Sequence, residues 1–181
     1  MATIGLKNLY YAKLTKDDLS GVTYESGTTK IAGLIEANIE PQTNSTTLYA
    51  DDIPFATATT QGEINVTINV EDLPVEVHAN LLGHTVKDGV MRIKGSDIAP
   101  YVAIMFESQK RDGSTRYIKL LKGKFKEVKM NPKTKAATPE FVTPQLEGTF
   151  ISRQYDGMSM KMADSTSSGF TGAANWFSTV E

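Results

Sequence analysis

Cysteine is missing altogether from the 181 residues, which excludes disulfides and thiolate metal sites. Histidine is nearly missing: His78 and His84 are the only two, six positions apart. A metal pair needs an i,i+4 offset on a helix or two adjacent strands, so no metal or cofactor site is read. Long apolar runs are also lacking. Nothing approaches the 18 or so consecutive apolar residues of a membrane span, and the start, MATIGLKNLYYAKL, has no apolar core behind a basic end. Neither a secretory signal nor a membrane segment is read, and the chain is expected to be made and kept soluble in the cytoplasm. There is no excess of positive charge: 19 Lys+Arg stand against 21 Asp+Glu, a formal net charge of −2. That argues against a protein whose main work is gripping phosphate backbones.

Catalytic signatures are missing as well. No GxSxG, GxxxxGK[ST] or GxGxxG occurs, and no serine or threonine sits in a readable base–nucleophile constellation. Asp17-Asp18 and Asp51-Asp52 are adjacent carboxylates in turn-like sequence, the ordinary habit of solvated turn residues. No enzyme is read.

What is present is an ordinary globular composition, 40% hydrophobic and 22% charged, in a length that suits one domain over residues 1–181. The most informative stretch is Gln61–Gly83, QGEINVTINVEDLPVEVHANLLG. Ile64, Val66, Ile68 and Val70 alternate with Glu63, Asn65, Thr67, Asn69 and Glu71, which makes a strand with one oily face and one wet face. A short helix follows, with Asp72 as N-cap, Pro74 in the first turn and Gly83 just past the end. Val75, Ala79 and Leu82 mark its apolar face, flanked by Val77 and Leu81.

Elsewhere strands are expected at Leu6–Leu14, Val22–Tyr24 and Val90–Lys94, and at Ala99–Ser108, which reads as buried on both faces. Lys30–Glu40 is a strand with Ile31, Ile35, Ala37 and Ile39 on one side; a helix competes, and Gly33 with the β-branched residues favours the strand. Asp112-Gly113 marks a hairpin into a long strand, Thr115–Met130, where Gly123 marks a bulge. Asn131–Thr138 is a turn and Phe141–Arg153 a strand, with Gln145, Glu147 and Thr149 on its polar face. Asp156–Gly172 has few order signals. His84–Asp88 is read as a connection. Together these elements predict a mainly β, antiparallel sandwich or partial barrel with one flanking helix.

Three segments resist this grammar. Pro41–Thr60 lacks a clean period yet carries Leu48, Tyr49, Ile53 and Phe55. An arm that docks on something and a loop folded over its own core both fit such a segment. The end of the chain carries Trp176-Phe177 in a 156–181 stretch read as an extended arm, tied down somewhere. Lys122, Lys124 and Lys126 alternate opposite Leu121 and Phe125. A nucleic-acid reader would want aromatics beside such lysines, and these lie on the other face; lysines on a solvated strand face discourage mispairing.

In order and spacing, the chain resembles the major tail proteins, or tail tube proteins, of long-tailed phages of Gram-positive bacteria. The resemblance runs through LYADD at Leu48–Asp52, the alternating strand, DLPVEVHANLLGH at Asp72–His84, APYVAIMF at Ala99–Phe106 and KGKF at Lys122–Phe125. It continues through NPKTKAATPEF at Asn131–Phe141, LEGTFISR at Leu146–Arg153 and NWFSTV at Asn175–Val180. It implies a virion protein whose subunits form hexameric rings, strands joining edge to edge into an inner barrel. The rings stack around a tape-measure protein between tail initiator and terminator proteins, and DNA passes through without specific binding. On that basis Glu36, Asn38, Glu63, Asn65, Thr67, Asn69, Glu71, Gln145 and Glu147 are expected to line the channel. Leu48, Tyr49, Asp51, Asp52, Ile53, Phe55, Trp176 and Phe177 are expected to order only against neighbouring subunits. The three lysines stay open between the outside, pairs with those glutamates and a shifted register. The competing reading is a monomeric β-sandwich binding module, for glycans as an example, which would want a cluster of exposed aromatics.

Overall fold

Ile64, Val66, Ile68 and Val70 are sealed from solvent, while Asn65, Thr67 and Asn69 between them stay half-exposed. The period-two reading therefore holds residue by residue in the computed structural model, which describes residues 2–129, 134 and 142–180. Strand accounts for 57% of the described residues. The strands are β1 Thr3–Asp18, β2 Gly21–Tyr24, β3 Thr29–Ile31, β4 Leu34–Ala50 and β5 Ile53–Val70, followed by the helix α1, Val75–Leu82. After it come β6 Thr85–Lys87, β7 Val90–Arg92, β8 Val102–Lys110, β9 Thr115–Phe125, β10 Gln145–Phe150 and β11 Met160–Asp164. A 3₁₀ turn, Gly172–Asn175, lies near the end.

All pairing is antiparallel. The main sheet runs β2-β1-β8-β9-β10-β5-β4, with β3 added to β1 and β11 to β9; β6 and β7 form a separate hairpin. It is not a closed barrel. One core draws Leu9 and Tyr11 from β1, Ile64–Val70 from β5, Val102, Ile104 and Phe106 from β8, and Leu146 and Phe150 from β10. Val77, Leu81 and Leu82 of α1 complete it. This is the sandwich with one helix that the alternation predicts.

β9 changes partners along its length. Arg116–Leu120 pair with β11, and Gly123–Phe125 pair with β10. At the changeover Val102 pairs with Gly123 and Ile104 with Leu120, so Ala103 alone faces Leu121 and Lys122. That is the bulge expected at Gly123. Glycine is required there by close approach: a Cβ would sit 2.4 Å from the Phe150 ring. Phe150 in turn meets Phe125 edge to face, with centroids 5.9 Å apart.

Several sequence expectations shift. Pro74, not Asp72, is the N-cap: the first intrahelical bond runs from the His78 N–H to the Pro74 carbonyl, and no side chain caps the helix. The helix face is also rotated. Val75 is exposed, and His78 takes its place against the core. Gly83 ends the helix in the left-handed region, φ 78°, as read. Lys30–Glu40 is two strands, broken at Gly33, whose φ of +73° and contact with Glu71 leave no room for a side chain. Ile35 is bulged out between Leu34 and Glu36 and lies exposed instead of facing inward. The connection read after His84 holds β6, and Asp156–Gly172, where order signals are few, holds β11. β9 ends at Phe125, short of the expected strand. Apart from Thr134, the turn expected at Asn131–Thr138 lies outside the described residues, as does the Phe141 start of the next strand.

Replacing Gly123→Ala forces the Phe150 ring or the bulge to move. The expected loss is roughly 1–3 kcal/mol of stability, the usual cost of overpacking a core. It should be read as a lower urea midpoint with an unchanged slope.

Candidate functional site

The wet side of β5 does not stand alone. In an antiparallel sheet directly opposed residues share a face. Thr149 pairs with Lys124 on one side and Asn65 on the other, and Asn65 pairs with Glu40. Glu147 pairs with Thr67, Thr67 with Asn38, and the Lys126 amide donates to the Glu147 carbonyl. Lys129 bridges to Gln145, which pairs with Asn69, which pairs with Glu36. Three polar rows thus cross four strands on one face. Glu63 continues the β5 column by the same alternation, while Glu71 lies one residue past the end of the strand, against Gly33. Eight of the nine residues named from sequence for the channel fall on this one sheet face.

Local bonds tie the face into a mesh. Asn69 Nδ2 donates to Glu36 at 2.9 Å, Asn38 Nδ2 to Glu40 at 2.7 Å, and Lys129 Nζ to Glu147 at 2.7 Å. The bond from Lys129, with Lys126 nearby, holds the Glu147 carboxyl below its ordinary range. Lys124 and Lys126 therefore share the face with the carboxylates, which resolves their placement. Lys122 behaves differently. Its ammonium lies 2.6 Å from Asp17, and that carboxylate also accepts the backbone N–H groups of Gln154 and Tyr155. Burial alone would raise the Asp17 pKa; the Gln154 amide and Lys122 outweigh it and hold the group low.

Beyond Pro41 and Glu63 the β4–β5 pair leaves the core and continues as a bare hairpin. The segment read as irregular is a paired ladder with one bulge between Leu48 and Tyr49: Asn44 faces Thr60, Ser45 Thr59, Thr47 Thr57 and Ala50 Ile53. Asp51 and Asp52 close it with φ of 51° and 61°, the two left-handed residues of a type I′ turn. Leu48, Tyr49, Ile53 and Phe55 cluster near this tip, each more than 60% exposed. No core contact holds them among the described residues.

The C-terminal aromatics are elsewhere, and here the sequence expectation is corrected. Trp176 and Phe177 have a place on their own chain. Tyr10, Met105 and Lys119 form one cross-strand row on the outer side of β1, β8 and β9. Phe177 lies 5.2 Å from Tyr10, and the Lys119 ammonium sits 4.7 Å over the Trp176 ring. Tyr117 touches Phe170, Trp176 and Phe177. The tail is therefore an outer layer over the sheet, which is why β8 is buried on both faces. The aromatic clustering had no signal in spacing, because its members come from three distant segments.

The two histidines also come closer than their offset suggested, with rings 6.2 Å apart. The chain reverses at Gly83 and brings His84 back beneath the helix. His84 Nδ1 lies 2.8 Å from Asp97, and Nε2 lies 3.1 Å from Glu127. Burial lowers the pKa of His78. Among the described residues no group of His, Asp and Glu is arranged to hold a metal ion, and no helix is long and apolar enough to cross a membrane.

The chain thus combines a mainly β core, a polar sheet face uncovered among the described residues and a bare, apolar-tipped hairpin. The sequence profile of the family described as phage tail tube protein matches residues 1–181, and the chain belongs to that family. Its role is therefore structural, in the phage tail. No curated protein matches it.

Two outcomes follow from the outer layer and its neighbour loop. Emission from the sole tryptophan should be blue-shifted and weakly quenched in the isolated subunit, and Tyr117→Ala should shift it red; a water-like spectrum in the unaltered subunit would contradict the packed tail. The folded Asp17 pKa lies below its unfolded value of about 3.9, so its stabilisation is full above that pH and lost as pH falls through the folded value. Asp17→Asn should flatten the acid side of the stability profile, measured by urea unfolding across pH.

Proposed function

We propose that the chain assembles into hexameric rings that stack as the tube through which the phage genome reaches the host. The observation that carries this reading is the polar face of β4, β5, β10 and the end of β9. It is uncovered among the described residues, and it belongs to a sheet whose terminal strand, β4, has one edge without a partner strand. Strands of neighbouring copies that add at such an edge make a barrel and remove the exposed edges. Glu36, Asn38, Glu63, Asn65, Thr67, Asn69, Glu71, Gln145 and Glu147 then line the channel. A wall mixing amides, hydroxyls and carboxylates lets DNA slide, since it offers phosphates few places to bind. The tape-measure protein occupies the channel before DNA does, and initiator and terminator proteins cap the stack. The hairpin tip, with Leu48, Tyr49, Asp51, Asp52, Ile53 and Phe55, meets a neighbouring copy. Burying such apolar side chains contributes roughly 1.5–3 kcal/mol each.

Negative-stain electron microscopy of the concentrated protein should show rings or tubes. In the cysteine-free background, Asn65→Cys should react quickly with a bulky thiol reagent as a monomer and slowly within a tube. Equal rates in the two states would place Asn65 outside the channel. Deleting 44–59 should leave a folded subunit that builds no tubes.

A further inference from the structure

The three polar rows are not symmetric end to end. Each begins at β9 or its extension with a lysine, Lys124, Lys126 or Lys129, and ends on β4 with Glu40, Asn38 or Glu36. The lysine end is also an edge. Pairing of β9 with β8 stops at Gly123, so beyond it the strand has β10 on one side only among the described residues. Lys129 is already matched to Glu147. Lys124 lies over the Tyr101 ring at 4.5 Å, and neither it nor Lys126 forms an ion pair among the described residues. Glu36 and Glu40 accept only amide hydrogen bonds there.

We infer that these two edges recognise each other between copies of this chain, with Lys124 and Lys126 of one copy set against Glu36 and Glu40 of the next. The inference rests on the ring reading above and names the contact that closes the ring. Direction agrees. β9, β10, β5 and β4 alternate in sense, so β4 and β9 run oppositely. β4 of one copy beside β9 of the next continues the antiparallel order. Two unlike edges make a head-to-tail interface, the kind that closes into rings. A slip of two residues keeps lysine beside glutamate or amide, so the charge pattern selects the partner edge and the face, and the turns and bulges select the register. Opposite charges placed directly across strands attract, and like charges repel.

The test is a pair of charge reversals. Glu36→Lys with Glu40→Lys makes both edges positive; Lys124→Glu with Lys126→Glu makes both negative. Each alone should raise the protein concentration needed for tubes by about tenfold, because the lysine–glutamate attraction across the edge turns into like-charge repulsion. An equimolar mixture should restore assembly, since alternating copies in an even ring present unlike edges throughout. The fourfold variant should assemble as well. Should a reversal unfold the subunit, Glu36→Gln with Glu40→Gln serves instead, with a raised threshold and a weaker response to salt. Reversed variants that assemble like the unaltered chain, or a mixture that fails to recover, overturn the edge pairing. Failure of the unaltered protein to form rings or tubes overturns the ring reading itself.

Discussion

The structure depends on the burial of one side of β5. Ile64, Val66, Ile68 and Val70 fill the core against β1, β8 and α1, and a one-residue slip would exchange them with Asn65, Thr67 and Asn69. That penalty locks β5 against β10 and β4. Once the register is fixed, the polar residues of all three strands have no choice but to fall into rows. The polar face is thus a by-product of core packing. It needs no separate device to hold it, and the amide–carboxylate bonds across it refine side-chain positions that the backbone has already set.

The same two strands pass from one physical regime to another. Up to Pro41 and Glu63 they belong to the core; past the irregularity between Pro41 and Thr43 no second layer covers them among the described residues. There the ladder is held by backbone bonds, the Thr47–Thr57 hydroxyl pair and the Asp51–Asp52 turn. The other outlying segment went the opposite way. The C-terminal tail gained an aromatic layer with Tyr10 and Tyr117, so the chain spends its aromatics on holding its own end in place and keeps Tyr49 and Phe55 outside.

This contrast explains what could be read from the sequence. Alternation is a signature of one buried face, so β5, β10 and the doubly buried β8 were legible, as was the family to which the chain belongs. The hairpin was not legible, because threonine, asparagine and serine on both of its faces leave no period to detect. Its turn carries Asp-Asp where Asn-Gly or Asp-Gly would have announced it. Asp72 looked like a cap, and Pro74 preempted it. The rows were half legible: their members could be listed strand by strand, but which lysine lay beside which glutamate required the registers. The packing of Trp176 on Tyr117 joins residues some sixty positions apart, and nothing local encodes it.

A hairpin with no core to satisfy is unconstrained in length. From Pro41 to Ala50 it spans roughly 30 Å at the usual rise of a strand. Adding a matched pair of residues to each strand would extend it by about 7 Å and return every side chain to its original face. Nothing in the globular part would have to change. The reach of the hairpin can therefore drift while the globular part that carries it stays the same.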